Sequence, residues 1–278
     1  LFAEIDVPLL ADLPLIHKLD FNGAYRFSHY STAAKNVGTF SAGLIYAPIK
    51  DVTFRGQYSR AVRAPTVADL YSGQSQDFPT ANDPCSTEDA TTNASLAASC
   101  VATGVPSSAL GTDINGGSSQ IDSITGGNPN LREEKSDTWT AGVVLQPSFL
   151  PRFSLTVDYY RIKVKNAIGI IGQQVSVSQC FTGGQPLFCN NVIRDANGFI
   201  TRVNALNLNT GSYLVSGLDV EGRYSIPLGG TRLDIDVLYN HRFDQQQTPF
   251  PGGPVQNELG QANCYSCGRL GSGFKDRV

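Results

Sequence analysis

The sequence predicts an all-β fold, an antiparallel transmembrane β-barrel segment of about eight strands with long extracellular loops. Three observations carry that reading. Apolar and polar residues alternate with a period of two in separate stretches along the chain, every second connection between those stretches is long, and aromatic residues gather at the stretch ends. Composition agrees: 28 Gly, 15 Pro, 14 Phe and 11 Tyr in 278 residues suit strands joined by turns better than long helices. A hydrophobic fraction of 41% excludes disorder, and a formal net charge of −3 leaves no basic footprint for nucleic acid.

The chain contains no methionine, so Leu1 is not read as a translation start. The opening LFAEIDVPLL lacks a basic n-region and a cleavage site and reads as a strand, not a signal peptide. In it, Ala3, Ile5, Val7 and Leu9 oppose Glu4 and Asp6. The second stretch sets Leu19, Phe21, Gly23, Tyr25 and Phe27 against Asp20, Asn22, Ala24 and Arg26. A third carries Phe40, Ala42, Leu44 and Tyr46, and a fourth opposes Val52, Phe54, Gly56 and Tyr58 to Thr53, Arg55 and Gln57. Later come Trp139, Ala141, Val143 and Leu145 against Thr138, Thr140 and Gln146, then Phe153, Leu155, Val157 and Tyr159 against Ser154, Thr156 and Asp158. The last two are Leu218, Val220, Gly222, Tyr224 and Ile226 against Asp219, Glu221, Arg223 and Ser225, and Leu233, Ile235, Val237 and Tyr239 against Asp234 and Asp236.

Alternation alone suits a soluble sandwich as well as a membrane barrel. The connections discriminate. Short links at 11–18, 48–51, 147–152 and 227–232 alternate with long ones at 31–38, 61–134, 166–212 and after residue 244. A barrel with short periplasmic turns and long extracellular loops explains this, and a sandwich does not. Tyr46, Phe153 and Tyr224 then lie near one interface and Tyr58, Trp139, Tyr159 and Tyr239 near the other, where the competing account makes them ordinary sheet aromatics. No run approaches the ~18 apolar residues of a membrane helix. One stretch departs from the pattern. After Tyr159 the apolar phase switches to Tyr160, Ile162 and Val164, leaving Arg161, Lys163 and Lys165 on the side that had been apolar; a bulge or a strand projecting beyond the bilayer would produce this.

From Val52 the chain reads VTFRGQYSRAVRAPTVADLY, and this resembles the strand-to-loop passage of TonB-dependent receptors that carries an Arg-Ala-Pro element, here Arg63, Ala64 and Pro65. GNPNLREEKSDTWTAGVVLQP resembles that family's re-entry into the barrel, and SLTVDYYRIKVKNAI and SGLDVEGRYSIPLGG are similar to its later strands in the same order. The resemblance implies a barrel of about 22 strands in the outer membrane that imports a scarce ligand, a siderophore, cobalamin or oligosaccharide, with energy from an inner-membrane TonB-type protein engaged through a plug domain. The plug and the aromatic-ended last strand have no counterpart, so residues 1–278 are expected to be a partial barrel domain, with 61–134 and 166–212 as long extracellular loops. Outer-membrane lipid and a small-molecule or oligosaccharide ligand are the implied partners. A passive porin-like or adhesin-like barrel and a secreted carbohydrate-binding module are the competing functions. The loops, rich in Ser, Thr, Asn and Gly, suit polar ligands such as glycans.

The six cysteines, Cys85, Cys100, Cys180, Cys189, Cys264 and Cys267, all fall in the long connections. Oxidising surroundings and proximity favour Cys85 with Cys100, Cys180 with Cys189, and Cys264 with Cys267, out of about 15 connectivities. The segment CYSC at 264–267 lacks the second half of a zinc or redox site. His241 near Asp244 is the one seed for hydrolytic chemistry, and no nucleophile motif accompanies it, so no enzyme, cofactor or metal is expected. Ligand contact is expected of Arg60, Arg63 and Tyr71, at the rising edge of the first long loop, with loop anchoring and a purely architectural Arg-Ala-Pro element as the competing account, and of the lumen-phase residues Arg26 and Arg55. For the lumen charges, including Asp219, Glu221, Arg223, Asp234 and Asp236, lining a watery interior or gripping a plug is the competing account.

Overall fold

The computed structural model describes residues 1–114, 120–181, 183, 186–261 and 273–278. In chain order its first strands are β1 (Phe2–Leu13), β2 (Ile16–His29), β3 (Asn36–Ile49), β4 (Val52–Arg63), β5 (Ser75–Asp77) and β6 (Ser123–Gly126). There follow β7 (Glu134–Leu145), β8 (Phe153–Ile170), β9 (Val192–Arg194), β10 (Ile200–Leu228), β11 (Thr231–Thr248), β12 (Gln256–Asn257) and β13 (Asp276–Arg277). Short helices are α1 (Val67–Tyr71), α2 (Asp89–Thr92), α3 (Ala94–Ala102), α4 (Gln173–Phe181) and α5 (Pro186–Cys189). The chain divides into two compact units, one made of Leu1–Ala64, Arg132–Ala167 and Asn209–Val278, the other of Pro65–Leu131 and Ile168–Leu208. No described helix is long and apolar enough to cross a membrane, which leaves crossing by strands open.

The first unit is an antiparallel meander in the order β1-β2-β3-β4-β7-β8-β10-β11-β12, with β13 also on β11. It is all-β, as the alternation predicts, and every predicted stretch lies inside one of its eight long strands except for Gln146, which falls just past the end of β7. The register explains why the alternation is so clean. Tyr25 faces Phe40, Phe21 faces Leu44, Tyr46 faces Phe54, Tyr58 faces Trp139, Val143 faces Val157 and Tyr224 faces Ile235. Apolar phase therefore meets apolar phase across each of these ladders, and a slip of one residue would bring polar residues opposite them. That face stays uncovered: Leu44, Phe54, Trp139, Ile235 and Val237 are exposed. An uncovered apolar face of this extent on a water-soluble protein would be an aggregation surface, whereas on a barrel it is the lipid contact.

Aromatic rings mark both ends of that face. Phe40, Tyr58 and Trp139 form one run, with ring centroids 5.6 Å and then 4.5 Å apart, and Tyr159 stands 6.2 Å from Phe243. Toward the short-turn end, Tyr46 lies 6.3 Å from Phe54 and Phe153 lies 6.3 Å from Tyr224. The short turns are tighter than the sequence suggests. Only Pro14 and Leu15 separate β1 from β2, and only Gly229 and Gly230 separate β10 from β11. Asp51 ties two of these turns together by accepting hydrogen bonds from the backbone N–H (2.8 Å) and hydroxyl of Ser148.

The phase switch in β8 has neither a bulge nor a break at Tyr159. Pairing with β7 runs without a shift from Leu145 opposite Leu155 to Lys135 opposite Lys165. The irregularity sits further on, at Asn166, whose φ of 56° is left-handed and whose carbonyl accepts from Asn209 at 2.9 Å. Arg161, Lys163 and Lys165 thus continue the apolar phase of an unbroken strand, and what changes along it is residue chemistry.

The second unit is small and mixed. Here β6 pairs parallel to residues 203–206 of β10 and antiparallel to β5, while β9 folds back on the start of β10. Leu70, Leu131 and Ile168 form one buried cluster. Disulfides join Cys85 to Cys100 and Cys180 to Cys189, and Cys264 and Cys267 lie outside the described residues. Helix α1 starts at a reciprocal cap, Asp69 N–H donating to Thr66 Oγ1 at 3.1 Å and Thr66 N–H to Asp69 Oδ2 at 2.9 Å.

Candidate functional site

The polar face of the first unit gathers the charges that the alternation set opposite the apolar phase. Arg55 on β4 donates through Nε to Asp158 on β8 at 2.9 Å, and its Nη2 pairs with the second carboxylate oxygen. These strands are not neighbours. Both residues are in register with Gly142 on the intervening β7, so the pair arches over a residue without a side chain. A Cβ at Gly142 would sit 1.9 Å from Asp158 Oδ1 and 2.8 Å from the Val157 carbonyl oxygen, so glycine is what leaves room for the pair.

Beyond it, Asn240 donates to Asp219 at 2.6 Å and to the Tyr160 hydroxyl at 3.2 Å. Arg223 bridges Glu221 at 2.5 Å and Asp236 at 3.1 Å, and Asp234 accepts from Ser225 Oγ at 2.5 Å and from Arg232 Nε at 2.8 Å. These groups are partly exposed pairs whose worth in stability is small. Their effect is to present alternating charge and hydrogen-bonding groups on one face of a sheet whose other face is apolar. Arg26 shares this polar phase and makes no ion pair among the described residues. With Glu4, Ser28, Tyr30, Ser41 and Ser59 it lines a recess of about 660 Å³.

The five residues expected to touch ligand do not form one cluster. Arg26 and Arg55 share the polar face. Arg63 also lies on that phase but is engaged in a bidentate pair with Glu134 on β7, Nε to Oε2 at 2.6 Å and Nη2 to Oε1 at 2.7 Å. Glu134 is buried, and the two residues are the last paired positions of the β4–β7 ladder, so Arg63 clamps the strands where the chain leaves the first unit. Arg60 is on the opposite, apolar phase. It donates through Nε to Asp137 at 2.8 Å, reaches the Tyr58 hydroxyl at 3.2 Å and lies over the Phe40 ring at 5.7 Å. Tyr71 ends α1 in the second unit, with 61% of its surface exposed.

Sequence reasoning missed the best-buried ion pair of the molecule's described part. In the second unit Arg194 donates through Nη1 and Nη2 to Asp83 at 2.6 and 2.7 Å, with side-chain exposures of 1% and 0%. Its guanidinium also lies over the Phe181 ring at 4.9 Å and 3.4 Å from Cys85 Sγ, next to one disulfide. The pair joins residues 111 positions apart, and no local pattern signals it. His241, read from sequence beside Asp244, faces Asp276 instead, with Nδ1 2.6 Å from Oδ1. Among the described residues no group of three or more His, Cys, Asp or Glu is placed to hold a metal ion.

Comparisons with known proteins fit this geometry. Residues 1–261 match the family described as TonB dependent receptor-like, beta-barrel. Among solved structures, a double mutant of the ferric enterobactin receptor PfeA from Pseudomonas aeruginosa superposes with a TM-score of 0.54 at 16% identity, covering 87% of this chain and 26% of that one. A single mutant of the same receptor in complex with enterobactin gives 0.52 at 16% identity and the same coverages. The siderophore receptor PirA from Acinetobacter baumannii gives 0.49 at 14% identity, covering 84% and 27%. The chain thus spans about a quarter of the length of the receptors it matches. No curated protein matches it.

Proposed function

Because the chain belongs to the TonB-dependent receptor-like β-barrel family, we propose that its parent is an outer-membrane receptor that imports a small-molecule ligand by energy-coupled transport. The family match over 1–261 carries the proposal. The two-faced sheet supports it, since an exposed apolar face bounded by aromatic rows suits lipid and a charged opposite face suits a water-filled lumen. In this reading the lumen charges, with Arg26 and Arg55 foremost, meet ligand or plug, Tyr71 meets ligand on the outer side, and Arg63 holds the strand ends from which the segment carrying Tyr71 departs. A ferric siderophore is the first ligand class to try, because the solved receptors that resemble the fold include siderophore receptors.

The test is uptake by cells carrying the full-length parent. Uptake of a labelled ferric siderophore, cobalamin or oligosaccharide should require both the proton gradient and the TonB-type partner. Removing 77–126 while keeping Arg63 and the strands should abolish uptake and leave membrane assembly intact. Uptake that survives an uncoupler unchanged would make the parent a passive channel and overturn the proposal.

A further inference from the structure

The apolar face of the first unit ends in a ladder of cations. Counting along the apolar phase from the Tyr58–Trp139 row toward the long connections, β8 carries Arg161 opposite Trp139, Lys163 opposite Asp137 and Lys165 opposite Lys135. Strand β4 adds Arg60, which pairs with Asp137, and Lys165 Nζ reaches the same carboxylate at 3.3 Å. Lys135 is paired with Glu133 at 3.0 Å. Five cations thus share a band with two carboxylates, and Arg161 and Lys163 have no carboxylate partner among the described residues. Lys135 lies directly opposite Lys165, a like-charge pair in which each lysine has a carboxylate beside it, Glu133 and Asp137.

Position gives this band its meaning. It begins in the aromatic row that closes the apolar face and lies at the strand ends from which 65–131 and 168–208 depart, on the same side as the residues read as lipid-facing. At that depth a membrane places headgroup phosphates. We propose that Arg161, Lys163 and Lys165, with Arg60 and Lys135 beside them, form a binding site for the phosphates of a lipid headgroup in the outer leaflet. Planar Arg161 suits bidentate phosphate contact, the lysines act as point charges, and Trp139 and Tyr58 hold the sugar or glycerol level of the same lipid. Asp137 keeps Arg60 and Lys165 from repelling each other before a lipid arrives. The proposal rests on the reading of this face as lipid-facing.

Binding of a bis-phosphorylated lipid A to the full-length parent in neutral detergent micelles, followed by native mass spectrometry, tests it. The unmutated protein should retain phosphorylated lipid A over its dephosphorylated form, and this arm needs no variant to fold. The double variant R161Q/K163Q should bind the phosphorylated lipid about 30-fold more weakly, at roughly a fivefold loss per cation. R232Q, at the short-turn end, should bind as the unmutated protein does. Equal retention of the two lipid forms, unchanged binding by a folded R161Q/K163Q, or displacement of the lipid by millimolar inorganic phosphate would overturn the site. Failure of the lipid-facing assignment is read separately, from the vesicle insertion of Val143→Arg described below.

Discussion

Placing a guanidinium on the apolar face tests the assignment of faces directly. Val143 lies on β7 between Phe54 and Val157 on the apolar phase, on the short-turn side of Trp139. Val143→Arg puts a charge where its partners are a ring and an isopropyl group, and at the midplane of a barrel such a change costs ~2–4 kcal/mol. Thr140→Arg, three residues away on the polar phase between Gln57 and Tyr160, meets polar neighbours and should cost well under half as much. In a urea titration of the full-length barrel folding into phosphatidylcholine vesicles, the valine variant should lower the folded-to-unfolded ratio by about 30- to 700-fold. Equal cost at both positions would refute the reasoning, and a larger cost at Thr140 would invert the faces.

Other expectations concern stability and chemistry away from the lipid face. Asp83→Ala leaves Arg194 buried without its carboxylate and should destabilise the second unit by ~3–5 kcal/mol, seen as faster amide exchange in 192–206; exchange matching the unmutated protein would remove the pair from the structural account. Asp51, outside the strands, is held below the usual carboxylate range first by the Ser148 hydroxyl and then by the Ser148 backbone N–H. Its contribution should therefore be complete above the ordinary aspartate pKa and fade as pH falls through the lowered folded value, so Asp51→Asn should flatten that acid limb of the stability curve. Non-reducing peptide mapping should recover Cys85 with Cys100 and Cys180 with Cys189, and opening the first loop should cost ~3 kcal/mol in the chain-entropy account.

The strands were legible because a half-buried strand writes its faces into the chain at a fixed period, and residues such as Leu19, Phe21 and Tyr25 could hardly serve any other element. The first half of β10 was not. In it Asn204, Asn207, Asn209, Thr210 and Gly211 read as connection, and a register shift between Ile200 and Arg202 breaks the period just where Ile200, Val203 and Ala205 become buried. Helices of four to nine residues, such as α2 and α4, are too short to show a 3.6-residue period, and α1 had only its Thr66 and Asp69 signature to announce it. Of the site, the polar phase could be listed from alternation, but which charges pair depends on which strands lie side by side. Arg55 with Asp158 needs β7 between them, and Arg63 with Glu134 needs the two ends of a long excursion to return to one ladder.

The arch over Gly142 bears on a kind of error that faces alone do not prevent. A strand that slips by two residues keeps every side chain on its proper side, so hydrophobicity cannot distinguish the slipped pairing from the native one. Were β7 displaced in that way, Thr140 or Val144 would come under Arg55 and Asp158, and a side chain would fill the space their contact occupies. Only the native alignment puts the one residue lacking a Cβ beneath the bridge. The missing side chain therefore works as a registration mark, through which three strands check their alignment at a single position.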